Sequence, residues 1–499
     1  MLRKLILAII SSLLVILAFP KFNLEFLVWV SFVPLFFALE NTSIKQRFFV
    51  GYVFGLVMFA GLLYWLVHVS VLGAVVLICF LAIFPAIGLL YKISDTSIIV
   101  FVFPSVWVIS EFLRSHIFTG FPWALLGHCL YKNIAVIQIA DITGAYGLSF
   151  IIVMINLVFY SILRYFQNKR HHVFVCVLFC MITLFYGFSF MQVKLEKEPM
   201  DIALIQGNIA QEKKWDPQKY EVEILEQYMR LSEIAAKNGA DLIIWPETSF
   251  PGLYNDDTSI TYRIDEFIKR MGKDFLIGSV SYSEGNYYNS AYFISSEAQI
   301  QEIYSKMHLV PFGEYIPFED KLPWIRSSID KPVGDMLPGQ EYKIFSFVAK
   351  NDIETSEGLI RERRFLKFGV LICFEDIFPD ISRLAVNKGA DFLVNITNDA
   401  WFSDTNAAYE HVQSSVFRAV ENRVSVVRSA NTGISCFIDP RGEITDILKV
   451  KGKETFVDGI SKARIYKPMR KSFYTKFGDV FVWLCVFMSL GLIILDKRQ

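Results

Sequence analysis

More than half of this 499-residue chain (54%) is hydrophobic, whereas soluble globular proteins are about 45–50% apolar, so roughly half of it is expected in lipid. Its 49 basic and 49 acidic residues balance, which excludes a nucleic-acid partner because such proteins carry a concentrated basic surface. Seven scattered cysteines exclude a disulfide-rich scaffold, and no CxxC or HxxxH spacing suggests a zinc site.

Long apolar runs predict membrane-spanning helices in the first part of the chain and again at its end. A span needs about 20 apolar residues. The predicted spans lie near residues 5–20, 24–40, 49–68, 71–91, 97–113, 147–164, 172–192 and 477–495. The first run follows Arg3 and Lys4 but has no small-residue cleavage site, which favours an uncleaved anchor over a signal peptide.

These spans divide the chain into a transmembrane helical domain at residues 1–193, a polar domain at 194–476, and a final span with a short tail at 477–499. Basic residues in short loops mark the cytoplasmic side of a membrane. Here they precede the first span and follow the even-numbered spans, at Arg3, Lys4, Lys45, Arg47, Lys92, Arg164, Lys169, Arg170, Lys497 and Arg498. Both termini are therefore predicted to be cytoplasmic and the polar domain extracytoplasmic. The cations at 467–476, on the outer side, could face anionic lipid headgroups.

Residues 114–146 fit neither a clean span nor a polar loop. The segment contains Gly-Phe-Pro-Trp at 120–123, an apolar stretch at 134–139 and Gly-Ala-Tyr-Gly at 144–147. Mixed glycine, proline and aromatic residues beside a span favour an interfacial or re-entrant piece. The alternative is a structured loop with aromatic residues at the membrane surface.

The polar domain alternates between strand and helix patterns, which predicts a layered α/β fold. Strands are predicted at 201–206, 241–245, 275–280, 289–294, 368–373 and 392–396, and helices at 221–237, 379–388 and 407–421.

The tripeptide Gly-Ala-Asp occurs at 239–241 and again at 389–391, each time before an apolar strand. A glycine can end a helix and an aspartate can start the turn into a strand. The repeat therefore suggests two similar halves, with chance repetition as the alternative. Each strand ends in polar residues, and open α/β sheets place their active sites at such ends.

Three reactive groups follow apolar strands. Glu247 stands beside Trp245 and Pro246, where partial desolvation would suit a general base. Lys306 lies among apolar residues and could stabilise an oxyanion, and Cys373 ends an apolar strand as a candidate nucleophile. Taken singly, they could equally be a surface acid, a solvated lysine and an inert cysteine. His308 and His411 are alternative partners for the thiol.

In their order, Glu247, Lys306 and Cys373 resemble the Glu-Lys-Cys triad of the nitrilase superfamily. A domain of that kind after seven spans and before one more is similar to the apolipoprotein N-acyltransferases. The supporting motifs lie at 120–123, 206–216, 245–248, 306–317, 373–375 and 398–402. The resemblance implies an α-helical multi-span membrane domain of about eight spans and an extracytoplasmic α/β nitrilase-like αββα sandwich.

The resemblance also implies the roles of individual residues. Cys373 would attack a phospholipid ester and hold the acyl group as a thioester, Glu247 would move the proton, and Lys306 would stabilise the oxyanion. Glu314 and Glu375 would be accessory acids. Four aromatic residues would contact substrate: Trp215, Phe374, Trp401 and Trp123. The alternative for these residues is packing without a direct role. Two departures concern Phe374, where the family often has tyrosine, and Ser403, where it often has glycine.

The implied partners are a phospholipid donor, phosphatidylethanolamine, and the diacylglyceryl-cysteine of an apolipoprotein as acceptor, in the last step of lipoprotein maturation. The implied location is the bacterial inner membrane, with the catalytic domain on the periplasmic side. No cofactor or metal is implied. The alternatives are a membrane-tethered amidase or nitrilase-type hydrolase, and a non-catalytic transporter or scaffold.

Overall fold

The computed structural model describes residues 1–91, 99–165, 170–254, 256, 258–317, 319, 321, 326, 334–355 and 358–496. The chain begins with a helical part whose α-helices are α1 (Leu2–Ala18), α2 (Val33–Leu39), α3 (Ile44–Leu62), α4 (Val71–Leu81), α5 (Ile83–Gly88), α6 (Ile99–His116), α7 (Ile134–Ile137), α8 (Ala140–Thr143), α9 (Ala145–Tyr165) and α10 (Arg170–Met191).

Among the described residues, four helical stretches have the length and apolar composition to cross a membrane: Val71–Gly88, Ile99–His116, Ala145–Arg164 and His171–Met191. They coincide with four of the predicted spans. The other four predicted spans contain shorter or less apolar helices, so the count of eight remains a prediction. Lys92, Lys169, Lys497 and Arg498, on which the predicted orientation partly depends, lie outside the described residues.

Residues 114–146 join α6 to α9 within the helical part and are mostly buried, apart from 116–119 and Lys132. Gln138 and Asp141 contact the second domain through Arg441 and Arg423. Arg114 donates hydrogen bonds to the carbonyl oxygens of Phe121 at 2.8 Å and Trp123 at 2.7 Å. Glu111 Oε1 accepts one from the Leu126 N–H at 2.8 Å. These side chains provide hydrogen-bond partners for the irregular backbone of the segment.

Two six-stranded sheets make up the second domain, in the orders β12-β1-β2-β3-β4-β5 and β11-β10-β9-β8-β7-β6. Strands β1, β2 and β3 are parallel, as are β7, β8 and β9. The strands are β1 (Lys197–Gln206), β2 (Leu242–Ile244), β3 (Asp274–Ser283), β4 (Asn286–Ile294), β5 (Ile300–Ser305), β6 (Ile344–Thr355), β7 (Gly358–Ile372), β8 (Phe392–Thr397), β9 (Ser425–Ala430), β10 (Cys436–Ile438), β11 (Ile444–Ile447) and β12 (Gly459–Tyr466).

Helices cover the outer face of each sheet. The α-helices of this part are α11 (Gln211–Trp215), α12 (Pro217–Lys237), α13 (Ser259–Met271), α14 (Pro379–Asn387), α15 (Ala407–Asn422) and α16 (Phe473–Phe477). The last helix, α17 (Val480–Asp496), follows this domain and packs on α6 of the helical part. Helix α12 packs on β1 and β2, whereas α14 packs on β7 and β8 and α15 on β9. The four layers confirm the predicted αββα arrangement.

The alternation of side chains along β1 explains why both faces of its sheet are covered. Ile202 and Leu204 point into the core between the sheets, whereas Ala203 and Ile205 point into a second core beneath α12. Each isoleucine or leucine buried in this way contributes roughly 1.5–3 kcal/mol. A strand that is apolar at every position is therefore stable only with a layer on each side.

The Gly-Ala-Asp repeat marks equivalent positions in the two sheets. The Asp241 carboxylate accepts from the Asp201 N–H at 2.9 Å, and the Asp241 N–H donates to the Asp201 carbonyl at 2.7 Å. Asp391 forms the same pair of bonds with Lys367, at 2.8 and 2.7 Å. Gly239 and Gly389, which end the preceding helices, have φ of 80° and 103°. The repeat is therefore structural, and the prediction of two similar halves is confirmed.

Candidate active site

Cys373 is the first residue after β7 and begins a 3-10 turn that ends at Ile377. Its φ is 52°, a conformation that costs a non-glycine residue about 1–3 kcal/mol. The Cys373 carbonyl oxygen lies 3.3 Å from both Asn395 Nδ2 and His411 Nε2, which hold it in place. Because of this sharp turn, the Cys373 side chain leaves the direction of the strand and lines a cavity.

Lys306 follows β5 and is 1% exposed. Its Nζ lies 2.8 Å from Glu314 Oε2 and 3.5 Å from Glu247 Oε1. Burial alone would lower the pKa of Lys306, but these two carboxylates outweigh it and raise the pKa above its ordinary value. The lysine is therefore a fixed ammonium inside the domain.

Glu247 reaches the same place from the end of β2 and is 6% exposed. Asn289 Nδ2 donates to Glu247 Oε1 and to Glu314 Oε1, both at 2.7 Å, and so bridges the two carboxylates. Gly278 on β3 allows the turn after β2 to pack closely, since a Cβ there would lie 2.4 Å from the Pro246 carbonyl oxygen.

Glu375 fixes the lysine segment against the cysteine turn. Its Oε1 accepts from the Tyr304 hydroxyl at 2.7 Å and from the N–H groups of Met307 at 2.7 Å and His308 at 3.2 Å. Its Oε2 accepts from the Ile372 N–H at 2.7 Å. Burial raises the pKa of Glu375 to about 7 despite these bonds. The carboxyl group therefore positions both Lys306 and Cys373 through their neighbours.

The surroundings of Cys373 favour the neutral thiol over the thiolate. Burial raises its pKa well above the ordinary value, the Glu247 charge raises it further, and Lys306 lowers it only in part. The thiolate is the nucleophilic form of cysteine. Attack therefore requires a base, and Glu247 is the carboxylate that acts most strongly on the thiol.

The three residues line one cavity of about 430 Å³ together with Glu314. Trp215, Trp401 and Phe402 form an aromatic part of its wall, and Val69 reaches it from the helical domain. The rings of Trp215 and Trp401 meet edge to face, with centroids 5.6 Å apart. The charged side chains of this cluster thus face a cavity that has an aromatic wall and extends to the helical domain.

Phe374 and Trp123, also predicted to bind substrate, are not among the described residues that line this cavity. Phe374 packs against Phe121 and Phe378, with ring centroids 6.2 and 5.2 Å apart. Trp123 is 2% exposed and donates from Nε1 to Glu410 Oε2 at 2.9 Å. Both side chains lie behind the site rather than in its wall.

Comparison with known proteins agrees with this geometry. Residues 11–158 match the apolipoprotein N-acyltransferase N-terminal domain, and residues 201–467 match the carbon-nitrogen hydrolase family. An apolipoprotein N-acyltransferase of Geobacter metallireducens is 36% identical, covering 97% of this chain and 93% of that protein. The chain belongs to the apolipoprotein N-acyltransferase family. It is an acyltransferase with a nitrilase-superfamily catalytic domain.

Apolipoprotein N-acyltransferase 2 of Treponema denticola is 32% identical, covering 80% of this chain and 77% of that protein. Among solved structures, Nit3 of Saccharomyces cerevisiae, a nitrilase-superfamily protein, is 19% identical with a TM-score of 0.37. That match covers 55% of this chain and 91% of the yeast protein.

Neither histidine considered as a partner for the thiol is among the described residues that line the cavity. His411 Nδ1 lies 2.9 Å from Asp399 Oδ1, and Nε2 lies 2.9 Å from Asp376 Oδ1. Burial and Arg428 lower the pKa of His411, but the two aspartates raise it to about 8, so the ring is largely cationic at neutral pH. For His308, burial and Lys306 lower the pKa to about 4. Glu247, in contrast, lines the same cavity as Cys373.

Sequence reasoning did not identify Asn289, Lys214 or the buried pair of Asp399 and Arg428 as site residues. Asp399 Oδ2 accepts from Arg428 at 3.2 Å. Burial alone would raise the pKa of Asp399, but His411 and Arg428 outweigh it and lower the pKa to about 2. Lys214 Nζ donates to the Glu247 carbonyl at 3.1 Å. Lys214 and Asp399 lie inside the family motifs, but the motifs do not indicate which side chains meet.

Proposed function

We propose that this enzyme moves a fatty acyl chain from a phospholipid, through a thioester on Cys373, to the α-amino group of the diacylglyceryl-cysteine of an apolipoprotein. The observation that carries the proposal is a nucleophile, a base and a fixed ammonium in one cavity with an aromatic wall. Family membership supports the lipoprotein acceptor.

In the first half-reaction, Glu247 takes the thiol proton as Cys373 attacks the ester carbonyl of the donor. The Lys306 ammonium stabilises the oxyanion that forms, a type of contribution that is often worth several kcal/mol in enzymes, about 2.7–4 kcal/mol per donor. Glu247 then gives its proton to the glycerol oxygen that leaves. The products are a lysophospholipid and a thioester on Cys373.

In the second half-reaction, the free amine attacks the thioester carbon, and Lys306 again stabilises the oxyanion. Glu247 accepts the amine proton and returns a proton to the departing thiolate, so the enzyme is regenerated. The thioester keeps the acyl group reactive and divides a difficult transfer into two easier steps. An apolar enclosure disfavours water as a competing nucleophile.

The accessory acids have different roles in this proposal. Glu314 keeps Lys306 charged through the 2.8 Å ion pair, and Glu375 aligns the two segments. Trp215 and Trp401 would contact the acyl chain, because aromatic rings bury much apolar area with little loss of side-chain entropy. Phe374 and Trp123 would support the wall by packing from behind.

We also propose the finer membrane arrangement that the sequence predicts. It comprises about eight spans, cytoplasmic termini and a periplasmic domain at 194–476, with phosphatidylethanolamine as the donor. Both substrates are membrane-anchored, so a site at the bilayer surface supplies proximity that a soluble enzyme would lack.

Incubation of the purified protein with phosphatidylethanolamine and a diacylglyceryl lipopeptide tests the proposal. We expect lysophospholipid and N-acylated lipopeptide in equal amounts, and neither product with Cys373→Ala. Release of free fatty acid without N-acylated lipopeptide would instead support a hydrolase, and a lack of both products from folded protein would support the scaffold alternative.

A further inference from the structure

The charged side chains that line the cavity differ in whether they form an ion pair. Among the described lining residues, two side chains are cationic, Lys214 and Lys306, and two are acidic, Glu247 and Glu314. Lys306 is held by both acids, at 3.5 and 2.8 Å. Lys214 forms no ion pair with any described carboxylate. Its Nζ instead donates to the Glu247 carbonyl at 3.1 Å and to Thr248 Oγ1 at 3.4 Å.

The pKa values of the two lysines reflect this difference. For Lys214, burial outweighs the attraction of Glu247 and Cys373 and lowers the pKa to about 7. For Lys306, the neighbouring carboxylates outweigh burial and raise the pKa. An anion that entered the cavity would therefore stabilise the charged form of Lys214, whereas Lys306 already has its counter-ions.

We propose that Lys214 binds the phosphate of the phospholipid donor; this inference rests on the proposed function. A phosphodiester is an anion joined to the same glycerol that carries the ester. When the ester carbonyl reaches Cys373, the phosphate lies within the same cavity or at its mouth. An ammonium has three N–H donors, of which two are directed at the Glu247 carbonyl and Thr248, so one is left for a phosphate oxygen.

The position of Lys214 on α11 fits this assignment. Gln211, at the start of the helix, accepts from Asn398 Nδ2 at 2.8 Å, which fixes the helix to the loop after β8. Trp215, at its end, meets Trp401 and lines the wall. The phosphate would therefore bind Lys214, and the acyl chain would contact the neighbouring Trp215 and Trp401.

A purely structural role is the competing explanation. Thr248 has a φ of 44°, and Lys214 could simply brace this strained turn beside the base. A brace would affect every acyl donor equally. A phosphate contact would affect only donors that carry phosphate, which allows the two roles to be separated.

The experiment measures acylation of Cys373 in the full-length protein by two donors, phosphatidylethanolamine and p-nitrophenyl palmitate, which has no phosphate. The variants are Lys214→Met, Lys214→Gln, whose amide still donates to the turn, and Lys214→Arg. Lys213→Met is the matched control, because Lys213 lies on the same helix but pairs with Glu223 at the surface. Thermal unfolding confirms that each variant is folded.

We expect Lys214→Met and Lys214→Gln to raise the half-saturating phosphatidylethanolamine concentration about ten-fold or more beyond any change with p-nitrophenyl palmitate, since a charge-assisted hydrogen bond is lost. Lys214→Arg should retain most of the affinity, and Lys213→Met should resemble the wild type. Equal losses with both donors, or no loss with the lipid, would overturn the inference. A wild-type protein acylated only by the palmitate ester would overturn the proposed phospholipid donor itself.

Discussion

Glu314 Oε2 lies 2.8 Å from the Lys306 ammonium, closer than either oxygen of the proposed base. Glu314 is itself fixed, because Oε1 accepts from Asn289 and Oε2 accepts from the Val310 N–H, both at 2.7 Å. In the proposed mechanism this carboxylate holds the ammonium in position and keeps it protonated, and Glu247 exchanges protons with the thiol.

Replacement of Glu314 by glutamine should reveal this role in the pH dependence of acylation. The pKa of Lys306 is raised by its carboxylates against burial, so loss of one carboxylate lowers it and the ammonium is lost at lower pH. We expect the alkaline limb of the pH–rate profile to move to lower pH and the rate at neutral pH to fall about ten- to hundred-fold. The exposed Glu297→Gln is the control, and an unmoved alkaline limb would contradict the assignment.

Glu410 should make the protein less stable as pH rises. Its Oε2 accepts from the indole N–H groups of Trp123 at 2.9 Å and Trp65 at 3.2 Å, yet burial raises its pKa from 4.5 to about 8. The folded protein therefore binds this proton more tightly than the unfolded chain. The resulting stabilisation is complete below pH 4.5 and is lost as pH rises through about 8.

Thermal unfolding in detergent measures this effect. Between about pH 6 and 9, the melting temperature of the wild type should fall more than that of Glu410→Gln, whose amide oxygen can still accept both indole bonds. Burial also raises the pKa of Glu375 and Glu421 to about 7, so the variant should reduce the slope without abolishing it. Glu443→Gln, at an exposed acid, should keep the wild-type slope; an equal slope in Glu410→Gln would refute the prediction.

Replacement of Ser403 by glycine should make the protein more stable. The residue has a φ of 54° and a ψ of −169°, a combination that glycine adopts without strain. Its side chain is exposed, so little is lost on its removal. We expect Ser403→Gly to raise the free energy of unfolding by about 1 kcal/mol, as measured by denaturant titration. Ser403→Ala, which keeps a Cβ, should give no gain; a gain there would show that backbone strain is not the cause.

Trp215 and Trp123, two of the three tryptophans predicted to bind substrate, should behave differently. Trp215 is 37% exposed in the cavity wall, so Trp215→Ala should slow lipid-dependent acylation while unfolding changes by less than about 1 kcal/mol. Trp123 is buried against Glu410 and His411, so Trp123→Ala should lower stability by about 3–5 kcal/mol. Measurement of the acylation rate and the melting temperature of each variant checks both predictions. A Trp123→Ala variant that is as stable as the wild type but acylated more slowly would show that Trp123 contacts the substrate.

The sequence singled out Glu247 and Cys373 because each follows an apolar strand, and Lys306 because it lies among apolar residues; none of this requires the strand order. The half-exposed strands β5 and β11 were not predicted, because they lack a continuous apolar run. The surroundings of His411 were likewise not predictable. Asp376, Asp399 and Arg428 come from three separate elements, and only packing of α15 on the sheet brings them together.

In the proposed mechanism, Cys373 carries the acyl group between the two substrates. Mass spectrometry of the purified protein after incubation with phosphatidylethanolamine, beside Cys373→Ala, detects this intermediate. We predict an acyl adduct on the Cys373 peptide that disappears when a diacylglyceryl peptide is added and that never forms on the alanine variant. A folded wild-type protein that transfers the acyl chain without any adduct on Cys373, or an adduct that persists in the presence of the acceptor, would rule out this role of Cys373.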